Sequence, residues 1–224
     1  LPAIATELDV SVGTAGLLTS AFAVGMVIGA PVMAAFARRW PPRLTLIVCL
    51  IVFAGSHVIG AMTPVFSLLL ITRVLSALAN AGFLAVALST ATTLVPANQK
   101  GRALSILLSG TTIATVVGVP AGALLGTALG WRTTFWAIAI LCIPAAVGVI
   151  RGVANNVGRS ATSATSPRLR VELSQLATPR LILAMALGAL INGGTFAAFT
   201  FLAPVVTKTA GLTDGWVSIV LVMF

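Results

Sequence analysis

Long runs of hydrophobic and small residues, each closed by a short polar or basic break, set the rhythm of this chain. They occupy residues 14–37, 44–63, 66–95, 103–128, 133–150 and 181–206, and another opens at 216–224. A helix rises about 1.5 Å per residue, so some 17–25 apolar residues cross the hydrocarbon layer of a bilayer. The first six runs meet that length and the last does not. No strand-like alternation of polar and apolar positions runs through them, which removes a transmembrane barrel. The pattern predicts an all-α polytopic membrane protein with six complete spans and a partial seventh.

The breaks order the spans. Arg38-Arg39-Trp40-Pro41-Pro42-Arg43 stops the first run abruptly, and Thr63-Pro64 makes a tight turn. Pro96 to Arg102 is a short basic loop, and Gly130-Trp131-Arg132-Thr133 reads as a turn with an interfacial Trp. Residues 1–13, with Glu7 and Asp9, read as an amphipathic loop in which Pro2 starts a short interfacial helix. Residues 151–180 are different: polar, Ser/Thr-rich from 160 to 167, and then Leu169, Leu173 and Leu176 at helical spacing among Arg168, Arg170 and Glu172. That reads as a flexible linker ending in a surface helix. The division expected is a bundle over 1–150, a cytoplasmic linker over 151–180 and the start of a second bundle over 181–224.

Composition agrees with this and charge adds direction. The chain is 58% hydrophobic and 8% charged, against about 25% charged in soluble domains. Its net charge of +9 invites a nucleic-acid reading, but the distribution answers otherwise. Arg38, Arg39, Arg43, Lys100, Arg102, Arg151, Arg159, Arg168, Arg170 and Arg180, ten of the 13 basic residues, fall in alternate loops. The positive-inside rule puts those loops in the cytoplasm, so the charge is a topology signal and no nucleic-acid partner is expected. Leu1 then lies outside, and a further span is expected upstream of it. Cys49 and Cys142 sit inside apolar runs as small packing residues, with no disulfide framework and no metal spacing.

Within the runs a few residues stand out. Gly110, Ala114, Gly118, Gly122 and Gly126 recur every four residues, a stripe on which another helix backbone can lie close. Pro120 in the same run bends the helix. Ala21, Gly25 and Gly29 repeat the spacing in the first span. Arg73 is the one charge inside a complete span, and an intramembrane charge is a functional candidate by default; its alternative is a structural partner for a helix-end carbonyl. Ala77 and Asn80 follow on the same face. Asn80 lines a cavity or bonds a neighbouring helix. Asn192, Phe196 and Phe199, at i, i+4 and i+7, suit a neutral amphipathic aromatic solute, or form a packed or lipid-facing stripe. His57, the only histidine, reads first as a packed neutral core residue and second as a proton relay. No acid lies within a complete span.

These residues resemble the major facilitator superfamily. The stretch Gly118-Val-Pro120-Ala-Gly122 is similar to the fifth-helix motif of drug–proton antiporters. Leu70-Ile-Thr-Arg73-Val-Leu-Ser-Ala-Leu resembles the family's fourth-helix motif with its buried arginine. Arg38, Arg39 and Arg43 stand where the family has its signature gating loop, although Ala34, Arg38 and Pro41 replace the usual Gly, Asp and Gly. The opening Leu1 to Ala23 resembles the arabinose-efflux-type branch, and within it the chloramphenicol efflux proteins of actinobacteria. The resemblance implies two six-helix bundles in a bacterial cytoplasmic membrane, and a chain that is an internal piece lacking the first helix. It implies a monomer that exports a small amphipathic drug in exchange for protons, with Arg73 in proton coupling and an acid on the missing helix.

Other classes fit less well. A sugar or nucleoside exporter of the same fold would want more polar cavity residues. An intramembrane enzyme would want HExxH, GxSxG or paired carboxylates, and none is present. A passive scaffold would not need Arg73. No cofactor or metal is expected; the partners expected are lipid, a small-molecule substrate and protons.

Overall fold

The structure, a computed structural model, describes residues 2–37, 40–154 and 178–204; for Pro2, Asn192, 34–37 and 196–204 it describes the backbone alone. Among the described residues there is helix and no strand. The helices are α1 (Pro2–Glu7), α2 (Val12–Ala37), α3 (Pro42–Met62), α4 (Phe66–Thr93), α5 (Lys100–Ile113), α6 (Val119–Ala128), α7 (Trp131–Gly152) and α8 (Pro179–Pro204). Five stretches are long and apolar enough to cross a membrane: Val12–Met33, Pro42–Met62, Phe66–Thr93, Ala97–Ala128 and Trp131–Gly152. The sixth expected span coincides with α8, 26 residues charged only at Arg180. The partial seventh span and most of the linker lie outside the described residues.

The helix boundaries have local causes. Ser11 caps α2 by accepting the Thr14 N–H at 3.0 Å, satisfying a donor that the first turn cannot use. Pro42 opens α3 at a position where a missing N–H does no harm. Gly130, at φ +88°, makes the sharp turn into α7, a conformation that a residue with a Cβ rarely adopts. Between α5 and α6 the helix widens to a π turn over Ala114–Gly118. Pro120 follows at once, and such a turn relieves the clash between a proline ring and the carbonyl before it. Where a bend is expected from Pro120, the structure has this π turn.

The chain divides into two compact units, Leu1–Ile113 with Ala121–Ala161, and Ala114–Pro120 with Thr162–Phe224. In the first, α4 is central: it packs on α2, α3 and α5, and α3 packs on α7. The α2–α4 seam is built on glycine. A Cβ placed on Gly25 would lie 2.7 Å from the Ala77 Cβ, and one on Gly29 would lie 3.1 Å from the Ala81 Cβ. In lipid, where burial from water does not drive association, such close backbone approach supplies the dispersion contacts that do. Gly110, Gly118 and Gly122 have no described atom within 4 Å of such a Cβ, and Gly126 meets only Thr134 at 3.5 Å. Among the described residues the spacing in α2 is a filled packing face, and the same spacing in α5 and α6 is an open one.

Candidate functional site

The site is built around Phe135, one turn into α7. Its ring rests on Gly60 of α3, where a Cβ would come within 2.9 Å. Trp131 meets it edge-on at 5.4 Å between centroids, the geometry that aromatic quadrupoles prefer. The His57 ring lies 5.7 Å from it and 4.3 Å from Phe53. The Arg73 guanidinium from α4 sits over it, with Cζ 4.4 Å from the centroid. Three helices thus bring an arginine, a histidine and an aromatic ring together inside the bundle.

Arg73 is only partly covered as a residue, but its Nε and Nη2 are buried without a hydrogen bond among the described residues. The ring compensates some of that desolvation, since a cation over an aromatic face gains about 0.5–2 kcal/mol. His57 is 2% exposed, and its Nδ1 lies 2.8 Å from the Phe53 carbonyl oxygen.

At one end of this cluster a second arginine ties α7 to α3 and α1. Arg132 Nη1 donates to the carbonyls of Ala61, at 2.6 Å, and Thr63, at 2.9 Å, taking the orphan acceptors at the end of α3. Its Nε pairs with Glu7 of α1 at 2.8 Å, and Trp131 Nε1 donates to the other Glu7 oxygen. Trp131 is 7% exposed and belongs to the core with Ile4, Leu18 and Leu69. α1 folds over the ring and removes it from the surface.

The hydrogen bonds from Arg132 and then Trp131 hold the Glu7 carboxyl below its usual range. A depressed carboxylate contributes stability above its ordinary pKa and loses it as pH falls through the folded value. The pair is partly exposed to solvent, so its contribution is at most about 1 kcal/mol. Glu7→Gln should lower the thermal midpoint of the purified protein by roughly 2–4 °C at pH 7 and by nothing at a pH below the carboxylate range. An equal loss at both pH values would show that the carboxylate charge is not what ties α1 down.

The other predicted residues are spread over several helices. Asn80 donates from Nδ2 to the Met26 sulfur at 3.4 Å and lines a cavity of about 210 Å³ with Phe53, Phe83, Ile138 and Cys142. A larger groove of about 430 Å³ runs between α2 and α4 with no charged lining. Ala77 is spent on the α2 seam, so the face it was expected to share with Arg73 and Asn80 splits between two neighbours. Arg43 lies in the first turn of α3, partly covered. Arg38 and Arg39 lie outside the described residues, as do the side chains of Asn192, Phe196 and Phe199, whose backbone belongs to α8. Phe135, Arg132 and Glu7 were not singled out by sequence. Their partners are up to 125 residues away, and no local spacing marks such a contact.

Comparisons with known proteins point the same way. A family model described as Major Facilitator Superfamily matches residues 1–224. A chloramphenicol resistance protein of Streptomyces lividans is 61% identical over 100% of this chain and 57% of its own length. The uncharacterized MFS-type transporter YtbD of Bacillus subtilis (strain 168) is 33% identical over 99% of the chain and 55% of its own length. The inner membrane transport protein YdhP of Escherichia coli (strain K12) is 30% identical over 100% and 56%. The chain spans just over half the length of these relatives.

Proposed function

The chain belongs to the Major Facilitator Superfamily, and from that membership we propose that it is part of a multi-pass drug exporter of a bacterial cytoplasmic membrane. The observation that carries this is the 61% identity, along the whole chain, to a chloramphenicol resistance protein. Chloramphenicol, or a small amphipathic molecule like it, is the substrate and protons are the counter-ions. The protein works as a monomer without a cofactor, and it is a transporter and not an enzyme.

The parts take distinct roles. Arg73 couples proton movement to substrate. Asn80, with Asn192, Phe196 and Phe199, contributes to the substrate cavity. Arg38, Arg39 and Arg43 form the cytoplasmic gating loop. The helix through Gly110, Gly118, Pro120, Gly122 and Gly126 supplies a bendable, small-sided face for a moving neighbour, and two observations support that role. The π turn at Ala114–Gly118 is a place where a helix changes shape easily. The glycines beside it are unfilled among the described residues. A sugar or nucleoside exporter is the alternative substrate class, but Asn80 is the one amide in a cavity otherwise lined by apolar groups and two cysteines.

The test is export by the full-length protein in a drug-sensitive bacterium. Cells expressing it should hold roughly tenfold less labelled chloramphenicol than control cells, and a protonophore should abolish the difference. Equal accumulation in both would overturn the substrate. Export that survives the protonophore would overturn proton exchange alone.

A further inference from the structure

Both cysteines of this chain line the same cavity, and neither has a role in the account above. We propose that Cys49 and Cys142 form a two-thiolate site for a soft divalent cation, with mercuric ion as its probe, and that the bound ion ties α3 to α7. The site does not depend on the exporter reading.

No motif in the sequence joins the two residues; the packing of α3, which carries Cys49, on α7, which carries Cys142, does. They are 2% and 8% exposed, and both thiols are free. They share the cavity of about 210 Å³ with Asn80, Phe53 and Phe83. Two of the five methionines add sulfur beside it. Met26 Sδ accepts the Asn80 amide at 3.4 Å. The Met33 side chain and Cys49 Sγ arrive at one point of α4, 2.6 Å and 3.1 Å from where a Cβ on Gly82 would lie. The helices α2, α3, α4 and α7 carry no carboxylate. Thiolates and thioethers select soft cations, whereas calcium and magnesium want oxygens that these helices lack. Among the described residues no three or more His, Cys, Asp or Glu converge. A closed four-coordinate zinc site therefore lacks ligands, and an ion satisfied by two sulfurs fits.

Charge and size narrow the choice further. Two thiolates and a divalent cation sum to zero, so the filled site buries no net charge among apolar walls, where an unpaired charge is costly. A metal–thiolate bond of about 2.3 Å makes a linear bridge of about 4.6 Å. A round cavity of about 210 Å³ is roughly 7 Å across, a difference within the swing of two cysteine side chains about χ1. Ile138 and Leu141 of α7 line the cavity and are exposed among the described residues. They give an apolar way in, and mercuric chloride is an uncharged molecule that can take it. At the site each sulfur displaces one chloride. Two Hg–Cl bonds break, two Hg–S bonds form, and two protons leave with the two chlorides; no electron changes hands. The second Hg–S bond is intramolecular, so the pair holds the ion far more tightly than either thiol alone.

The experiment uses the full-length protein in lipid nanodiscs, with any cysteine outside residues 1–224 replaced by serine and mercuric chloride as the probe. One mercuric ion per chain should bind, read by the ultraviolet absorption of the mercury–thiolate bond, and it should block alkylation of both cysteines at once. At a free concentration a thousandfold above the dissociation constant, the thermal midpoint should rise by roughly 5 °C or more. Cys49→Ala and Cys142→Ala should each lose about a hundredfold or more in affinity, measured against a competing small monothiol. Calcium chloride should neither bind nor shift the midpoint. If a variant fails to fold, the two-cysteine protein still decides the matter by its stoichiometry. Two ions per chain would mean two separate thiols, none would mean a cavity closed to the probe, and either result overturns the site. A single variant that binds as tightly as its parent would overturn the bridge.

Discussion

Replacing Arg73 by Ala in the full-length protein should abolish pH-driven drug accumulation in inverted vesicles while leaving the protein in the membrane. The expected loss is tenfold or more, the scale set by removing about 1.4 kcal/mol or more of coupling between two sites. A charge at a span centre is expensive, about 2.5–3.5 kcal/mol on insertion scales, so it persists where it does something. Among the described residues Arg73 makes no ion pair, and its compensation is the Phe135 ring. A structural arginine would be expected to hold a helix end, as Arg132 does at the carbonyls of Ala61 and Thr63. The buried Nε and Nη2 of Arg73 hold none among the described residues. A guanidinium kept poised over a ring can instead favour the ionised form of a carboxyl group that comes within about 4–6 Å, and release it when that group is neutralised.

Arg73→Lys sharpens the test. It keeps the charge, but it loses the flat cation that stacks on Phe135 and the fork that would bind a carboxylate at two points. It should therefore retain substrate binding and fall well short of natural exchange. Binding separates coupling from collapse: Arg73→Ala should still bind drug with an affinity within a few-fold of the natural protein. Natural accumulation by Arg73→Ala would make the arginine structural. Loss of binding and accumulation together, with the protein aggregated, would assign it to folding.

Much of the fold was legible because membrane helices write their length in uncharged residues. The runs at 44–63 and 66–95 became Pro42–Met62 and Phe66–Thr93, since nothing but helix satisfies the backbone of such a run in lipid. What the runs could not show was which face meets which helix. Gly25 and Gly29 have the same spacing as Gly118 and Gly122, yet only the first pair is filled among the described residues. Small residues permit close approach without naming the partner. The same limit hid the site: Arg73 was conspicuous as a charge, but Phe135 is one apolar residue among many until α3 and α7 pack. The opening segment, where Pro2 predicts the start of a short helix, holds the six-residue helix α1. Its anchor is Glu7 on Arg132, a contact between residues 125 apart in the chain that no local pattern encodes.

The largest stability effect should come from the α2–α4 seam. Gly25→Leu should prevent recovery of folded protein, and Gly25→Ala should lower the thermal midpoint by roughly 5 °C, given about 1–3 kcal/mol for overpacking and 2–4 °C per kcal/mol at this size. A Cβ on Gly25 would lie 2.7 Å from the Ala77 Cβ and 3.3 Å from the Val74 carbonyl oxygen. Real Cβ atoms do not approach so closely, so α2 must move away from α4 and lose contacts along its length. Helix propensity works the other way, because Ala is favoured over Gly in a helix by about 1 kcal/mol. A net loss therefore reports the clash and not the backbone. Gly16, on the same helix with no described atom within 4 Å of such a Cβ, is the control: Gly16→Ala should hold or raise the midpoint. The specific partner is tested by rescue. Ala77→Gly removes the methyl that the new Cβ meets, so Gly25→Ala with Ala77→Gly should recover most of the loss, although each single change destabilises. Simple addition of the two losses in the double variant would mean that Gly25 and Ala77 do not touch, and that α2 packs on α4 in some other register.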